Sequence, residues 1–176
     1  MILYHGTTAE KGKQIIEDMY IKAYIKRNYI DYNDVIKNTT NGFVYLTVNL
    51  PTAYYYANIN LIGAGKDENK YAYIFKLSVD ENMLLPDYDE IRVKCKDIQQ
   101  EQLSYMESIR LCGCVTVSKN VEISDAEYII LPGTSNFSAA DDESALCKRL
   151  TDWQINGGNV TNTIQEIEKK FPWMKI

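Results

Sequence analysis

The sequence predicts an α+β fold: a β-sheet body to about residue 133 flanked by helices, followed by a helical extension over 134–176. Three observations carry this. Short apolar segments rich in Val, Ile, Tyr and Phe recur between turn residues, as strands do. Segments with a 3–4 residue apolar period alternate with them. After Pro132-Gly133 the texture changes, and only helical periodicity remains. At 176 residues the chain is long enough to bury a core without disulfide or metal staples.

The elements follow in order. Ile2 to His5 reads as a short buried strand ending in a turn at Gly6. Thr7 and Glu10 then fit a capping box, opening a helix from Thr8 to about Met19 with Ile15, Ile16 and Met19 inward. Residues 20–42 read as a long connection with one helical turn, a length often tied to function. Gly42 to Val48 is a strand. Asn49-Leu50-Pro51-Thr52 opens a helix, with Pro51 in the first turn where its missing N–H costs little. Residues 63–70 form a loop without the GxxxxGK[ST] spacing of a phosphate-binding loop.

Tyr71 to Val79 alternates, with Tyr73, Phe75, Leu77 and Val79 on the buried face. Met83 to Leu85 is a short pairing segment. Asp97 to Leu111 reads as a helix with Ile98, Tyr105, Met106 and Ile109 inward, stopped by Gly113. Cys114–Val117 and Ala126–Leu131 are strands. In the extension, Ser138 with Asp141 opens a helix carrying Leu146, Leu150 and Trp153. Asn159 to Lys170 forms a last helix with Val160, Ile164 and Ile167 on one stripe. The tail Phe171 to Met174 is apolar enough to dock.

Composition narrows the function. The net charge is −5 and the sequence pI about 5.0, which argues against coating nucleic acid, where a basic face supplies the affinity. No apolar run reaches the roughly 18 residues of a membrane span, and the N-terminus lacks a secretory signal's basic flank and apolar stretch. A cytoplasmic protein with no membrane partner is expected. Four cysteines and one histidine, none in CxxC spacing, give no zinc ligand set; no metal is expected, and the thiols read as reduced packing residues. Tyrosine is the outlier, 14 residues against 4 Phe and 2 Trp. Its flat face and polar tip suit stacking on rings.

Three segments hold the candidate chemistry. They are Tyr4-His5-Gly6-Thr7, then Val44-Tyr45-Leu46-Thr47 with Ala53-Tyr54-Tyr55-Tyr56, and Ala126-Glu127-Tyr128-Ile129-Ile130. Tyr45 and Tyr56 lie eleven positions apart. Each residue also has an ordinary reading: a satisfied strand-end histidine, core or surface tyrosines, an edge-strand charge.

Taken together, residues 2–131 resemble the ADP-ribosyltransferase superfamily, in its PARP and diphtheria-toxin-like branch with a His-Tyr-Glu triad. The resemblance implies a split β-sheet core over 1–133 that binds NAD as co-substrate. It implies that His5 bonds a ribose hydroxyl and Gly6 the nicotinamide carboxamide, with Thr7 beside them. Tyr45 and Tyr56 would sandwich the nicotinamide ring. Glu127 would bind the ribose 2′-hydroxyl and stabilise positive charge on the sugar as nicotinamide leaves. Glu122 is the rival acid. Ala53 stands where such enzymes often carry a Ser that bonds the carboxamide, a departure that removes one contact. Lys26 and Arg27 are candidates for the NAD pyrophosphate.

The activity implied is a single ADP-ribose transfer to a protein or nucleic-acid acceptor, by a bacterial or phage effector or toxin. An inhibitor or antitoxin protein is a further possible partner. The alternatives are an NAD glycohydrolase and a catalytically silent module that grips a partner protein. An RNA 2′-phosphotransferase ranks lower, because His5 is the only histidine.

Overall fold

The computed structural model describes residues 1–24, 39–64, 70–95, 102–134 and 141–176. The expected positions of Lys26, Arg27, Ile98 and Ser138 lie outside the described residues. A seven-stranded sheet runs in the order β5-β6-β3-β1-β4-β8-β9, every neighbouring pair antiparallel. Its strands are β1 (Ile2–Thr8), β3 (Val44–Thr47), β4 (Tyr71–Ser78), β5 (Leu85–Pro86), β6 (Cys114–Val117), β8 (Glu127–Pro132) and β9 (Met174–Lys175). A second small sheet pairs β2 (Tyr20–Ile21) with β7 (Val121–Glu122). The helices are α1 (Ala9–Asp18), α2 (Leu50–Ala64), α3 (Tyr88–Lys94), α4 (Tyr105–Cys112), α5 (Asp142–Asn156) and α6 (Thr161–Lys170).

The sheet is divided. β1 pairs with β4 from Ile2↔Ser78 to Thr8↔Ala72, but with β3 only at Tyr4↔Thr47. The half formed by β5, β6 and β3 therefore joins the half formed by β1, β4, β8 and β9 through one register pair. One face is continuous across this seam: Leu3, Val44, Leu46, Phe75, Leu77, Val115 and Val117 share a core with Ile15 of α1. The other face carries two separate clusters. Over the β1/β4/β8 half, Ala53, Tyr54 and Ala57 of α2 meet Ile74, Ile129, Leu131, Cys147, Leu150 and Ile167. Over the β3/β6 half lie Ile91, Cys112 and Cys114, with α3 and α4.

Several expectations change. β1 does not end at His5: it continues through Gly6 and Thr7 to Thr8, because every residue keeps a partner on β4. Gly6 marks a close approach instead of a turn. A Cβ there would fall 1.9 Å from the Ala53 carbonyl oxygen. Thr7 is buried in the ladder opposite Tyr73, so α1 starts at Ala9 with Thr8 as N-cap and no side-chain capping bond. The capping box over Thr7 and Glu10 does not form.

β4 buries both faces at its centre, not one. Ala72 and Ile74 are as buried as Phe75, since α2 and the C-terminal helices cover the second side. The helix expected from Asp97 begins, within the described residues, only at Tyr105. There Ser104 and Glu107 form a full capping box. Met106 faces out, 55 % exposed. Residues Tyr88–Lys94, for which no element was expected, form α3, with Asp87 as N-cap accepting from the Glu90 N–H at 2.9 Å.

The C-terminal extension does more than add helices. Leu150 and Ile167 lie in the same cluster as α2, and Thr52 bonds Gln154 at 2.8 Å. The tail docks as β9, an edge strand whose Lys175 and Met174 pair with Glu127 and Tyr128. Trp173 packs against Tyr4 with ring centroids 6.1 Å apart.

Candidate functional site

At the seam between β1 and β3 the side chain of His5 meets the backbone of Tyr45. The His5 Nδ1 lies 3.0 Å from the Tyr45 carbonyl oxygen. A carbonyl only accepts, so Nδ1 carries the proton and, in the neutral ring, Nε2 is an acceptor. Burial holds the His5 pKa below its ordinary value, against the opposing pull of the Tyr45 carbonyl; Lys11 adds to the lowering. The ring is therefore neutral at pH 7, with Nε2 able to accept from a ligand hydroxyl. It also takes up a β3 carbonyl that a continuous ladder would give to backbone.

Tyr45 sits on the face opposite the shared core, paired with Thr116 on β6. Its hydroxyl donates to Asp89 Oδ2 at 2.6 Å and is 2.8 Å from the Thr40 carbonyl oxygen. Asp89 also accepts from the Thr40 N–H at 2.5 Å and the Thr40 hydroxyl at 3.1 Å. Tyr56, on α2, donates to Glu90 Oε2 at 2.5 Å. Burial, reinforced by the Glu90 charge, raises the Tyr56 pKa and keeps that phenol protonated. Glu90 Oε1 in turn lies 3.0 Å from Lys94 Nζ. The two tyrosines thus rest on consecutive residues of α3 and are fixed by them. Tyr54 is not part of this: it is fully buried and bonds the Pro132 carbonyl oxygen at 2.7 Å.

Beside Tyr45 is a cavity of about 410 Å³ whose lining includes Phe43, Pro86, Asp87, Asp89, Arg92 and Thr116. Its wall combines aromatic rings with two carboxyls and one guanidinium. Asp87 is 4 % exposed. Burial pushes its carboxyl up to about 7, opposed by the Glu90 N–H it accepts and assisted by Cys112 and the charges of Glu90 and Asp89.

The structure does not bring Glu127 to these residues. β8 stands three strand positions from β3 in the sheet, about 14 Å at ordinary strand spacing. Glu127 Oε2 is 3.0 Å from Lys76 Nζ, and Lys76 lies 5.3 Å from the Trp173 ring centroid. Glu127 lines a different depression, of about 530 Å³, with Lys76 and Lys175. Glu122 is exposed on β7 opposite Tyr20, in the second sheet. Gly6 and Ala53 do meet, as the backbone contact between β1 and α2, and Ala53 is 3 % exposed. Thr7 is buried behind them.

Sequence reasoning missed Asp87, Asp89 and Glu90. The signal was present: Asp87 followed three residues later by Glu90 is a helix-start pattern. Among the described residues no group of three or more His, Cys, Asp or Glu is placed to hold a metal. No helix among them is long and apolar enough to cross a membrane. Comparison of the chain with models of known protein families and with curated proteins finds no match in either.

Proposed function

We propose that the chain binds NAD at the seam between β1 and β3, cleaves its nicotinamide–ribose bond and transfers ADP-ribose to a macromolecular acceptor. The observation that carries this reading is the bridge from His5 to Tyr45 across a split sheet. It sets a neutral imidazole against the Tyr45 backbone, while the Tyr45 ring leaves β3 on the face opposite the shared core. Neutral His5 accepts from a ribose hydroxyl through Nε2. Tyr45 and Tyr56, with both hydroxyls tied to α3, offer preorganised aromatic faces to a flat ring. The close contact of Gly6 with Ala53 leaves backbone, in place of a serine hydroxyl, to meet the carboxamide.

The position of Glu127 favours one alternative, a module that holds its ligand or a partner protein without turning it over. Nicotinamide release and NAD binding, measured separately on the full chain, decide between them. The transferase reading expects binding and slow release by the wild type, with both impaired in Tyr45→Ala and His5→Ala. Binding without release supports the silent module. Neither binding nor release sinks the NAD reading altogether.

A further inference from the structure

We infer that Asp89, supplied by α3, is the carboxylate that faces the sugar in this protein, in the role the family resemblance would give to Glu127. The inference rests on the NAD reading above. Breaking the C1′–N bond sends its electron pair out with nicotinamide and leaves positive charge on C1′ and the ring oxygen. A fixed carboxylate in a water-poor cleft stabilises that charge. The acceptor's oxygen or nitrogen then bonds C1′ and releases its proton to solvent, so the carboxylate ends unchanged.

Among the described residues three carboxylates stand at the start of α3, near the Tyr45 and Tyr56 hydroxyls. Asp87 is nearly sealed from solvent and commits an oxygen to the Glu90 N–H. Glu90 has one oxygen on the Tyr56 hydroxyl and the other 3.0 Å from Lys94 Nζ. Asp89 differs from both. It lines the 410 Å³ cavity beside Tyr45 and Thr116, and its side chain is 13 % exposed. That is dry enough to strengthen a charge interaction and open enough to be reached. Its Oδ2 takes two donors, from Tyr45 and Thr40, while Oδ1 takes the Thr40 hydroxyl. A carboxylate oxygen has about two acceptor sites, so Oδ1 keeps capacity for a ligand hydroxyl. Among the described residues, the cation paired with Asp89 is Arg92, 3.8 Å from Oδ1 and 56 % exposed. It lies beyond hydrogen-bond reach and is free to move aside. Two elements hold Asp89, as preorganised charge stabilisation requires.

The test measures nicotinamide release and NAD affinity for the wild type, Asp89→Asn, Tyr45→Phe and Glu127→Gln, with thermal melts of each. Asp89→Asn is expected to lower kcat by about 100-fold or more, the scale of losing one preorganised electrostatic group, while NAD affinity changes by less than about threefold. Glu127→Gln is expected to stay within about twofold of wild type, since its carboxylate pairs with Lys76 in a separate depression. Tyr45→Phe removes the hydroxyl anchor but leaves the carboxylate, and is expected to lose less than about tenfold in kcat. Should Asp89→Asn fail to fold, Asp89→Glu keeps the charge but displaces it, and a kcat loss of about tenfold at unchanged affinity is expected.

Full turnover by Asp89→Asn, or loss in Glu127→Gln, overturns the inference while leaving the NAD reading intact. Equal losses in Tyr45→Phe and Asp89→Asn also overturn it, since Asp89 would then act only by holding Tyr45. A wild type that neither binds NAD nor releases nicotinamide fails the reading itself, and the inference with it.

Discussion

Replacing Asp87 by Asn is expected to stabilise the protein, and more so as pH rises. Asp87 is buried at the N-cap of α3, where burial raises its carboxyl from 3.8 to about 7. The folded state therefore prefers the protonated form. The sign follows: stability is greatest below the unfolded value, declines as pH climbs from about 4 to about 7, and is flat above. The full span corresponds to about 4 kcal/mol, at 1.36 kcal/mol per pH unit.

Asn keeps the oxygen that accepts the Glu90 N–H but cannot ionise. Between about pH 5 and pH 8 the variant should therefore gain on wild type by about 3 kcal/mol. His5 tilts the other way. Its lowered pKa weakens the fold as pH drops below the ordinary imidazole value, but it is common to both proteins and cancels in the difference. Urea unfolding at the two pH values, followed by Trp153 and Trp173 fluorescence, reads the effect. An equal difference at both pH values, or a wild type that gains on the variant as pH rises, would refute the buried-carboxyl argument.

Other outcomes follow from single contacts. Gly6→Ala should cost about 3 kcal/mol or more, because its Cβ would meet the Ala53 carbonyl oxygen at 1.9 Å, backbone that cannot yield; a normal melting curve would contradict the close approach. Tyr54→Phe should cost about 1–2 kcal/mol by stranding the buried Pro132 carbonyl, with nicotinamide release unchanged. Leu150→Ala should cost about 3 kcal/mol and shift one cooperative transition. If only a separate, early transition moved, the extension would have its own core. Glu127→Ala should cost under about 1 kcal/mol, since its pairing with Lys76 is only about two-thirds buried; a larger loss in a double-mutant cycle with Lys76 would show that the pair does more.

The strands at 44–47, 71–78, 114–117 and 127–132 were legible because aromatic and β-branched residues lie between clear turn signals. Tyr45 and Tyr56 both donate to α3, through Asp89 and Glu90, and the strand-to-helix spacing of eleven residues that brings them there was local information. The carboxylate was different. Whether the strand at 127 lies beside β3 or three places away depends on strand order, which no short motif encodes. α3 was hidden for a related reason. Its seven residues bury one fully apolar side chain, Ile91, too few to show a period. The box at Thr7 and Glu10 lost to tertiary pairing, since seven register partners on β4 outweigh one capping bond. The strand at 174–175 is two residues long, and its place comes wholly from β8.

The single register pair between β1 and β3 also bears on how the molecule breathes. Amide exchange should divide the sheet into two blocks. β1, β4 and β8 would share one slow opening, and β3 with β6 a faster one, since apart from the shared core β3 is bonded across the seam through Tyr4↔Thr47 and the His5 ring. A small molecule lodged at that line would act as a rivet between the blocks. Its binding would be felt first as slowed exchange at Tyr45 and Leu46 and only afterwards as a higher melting temperature.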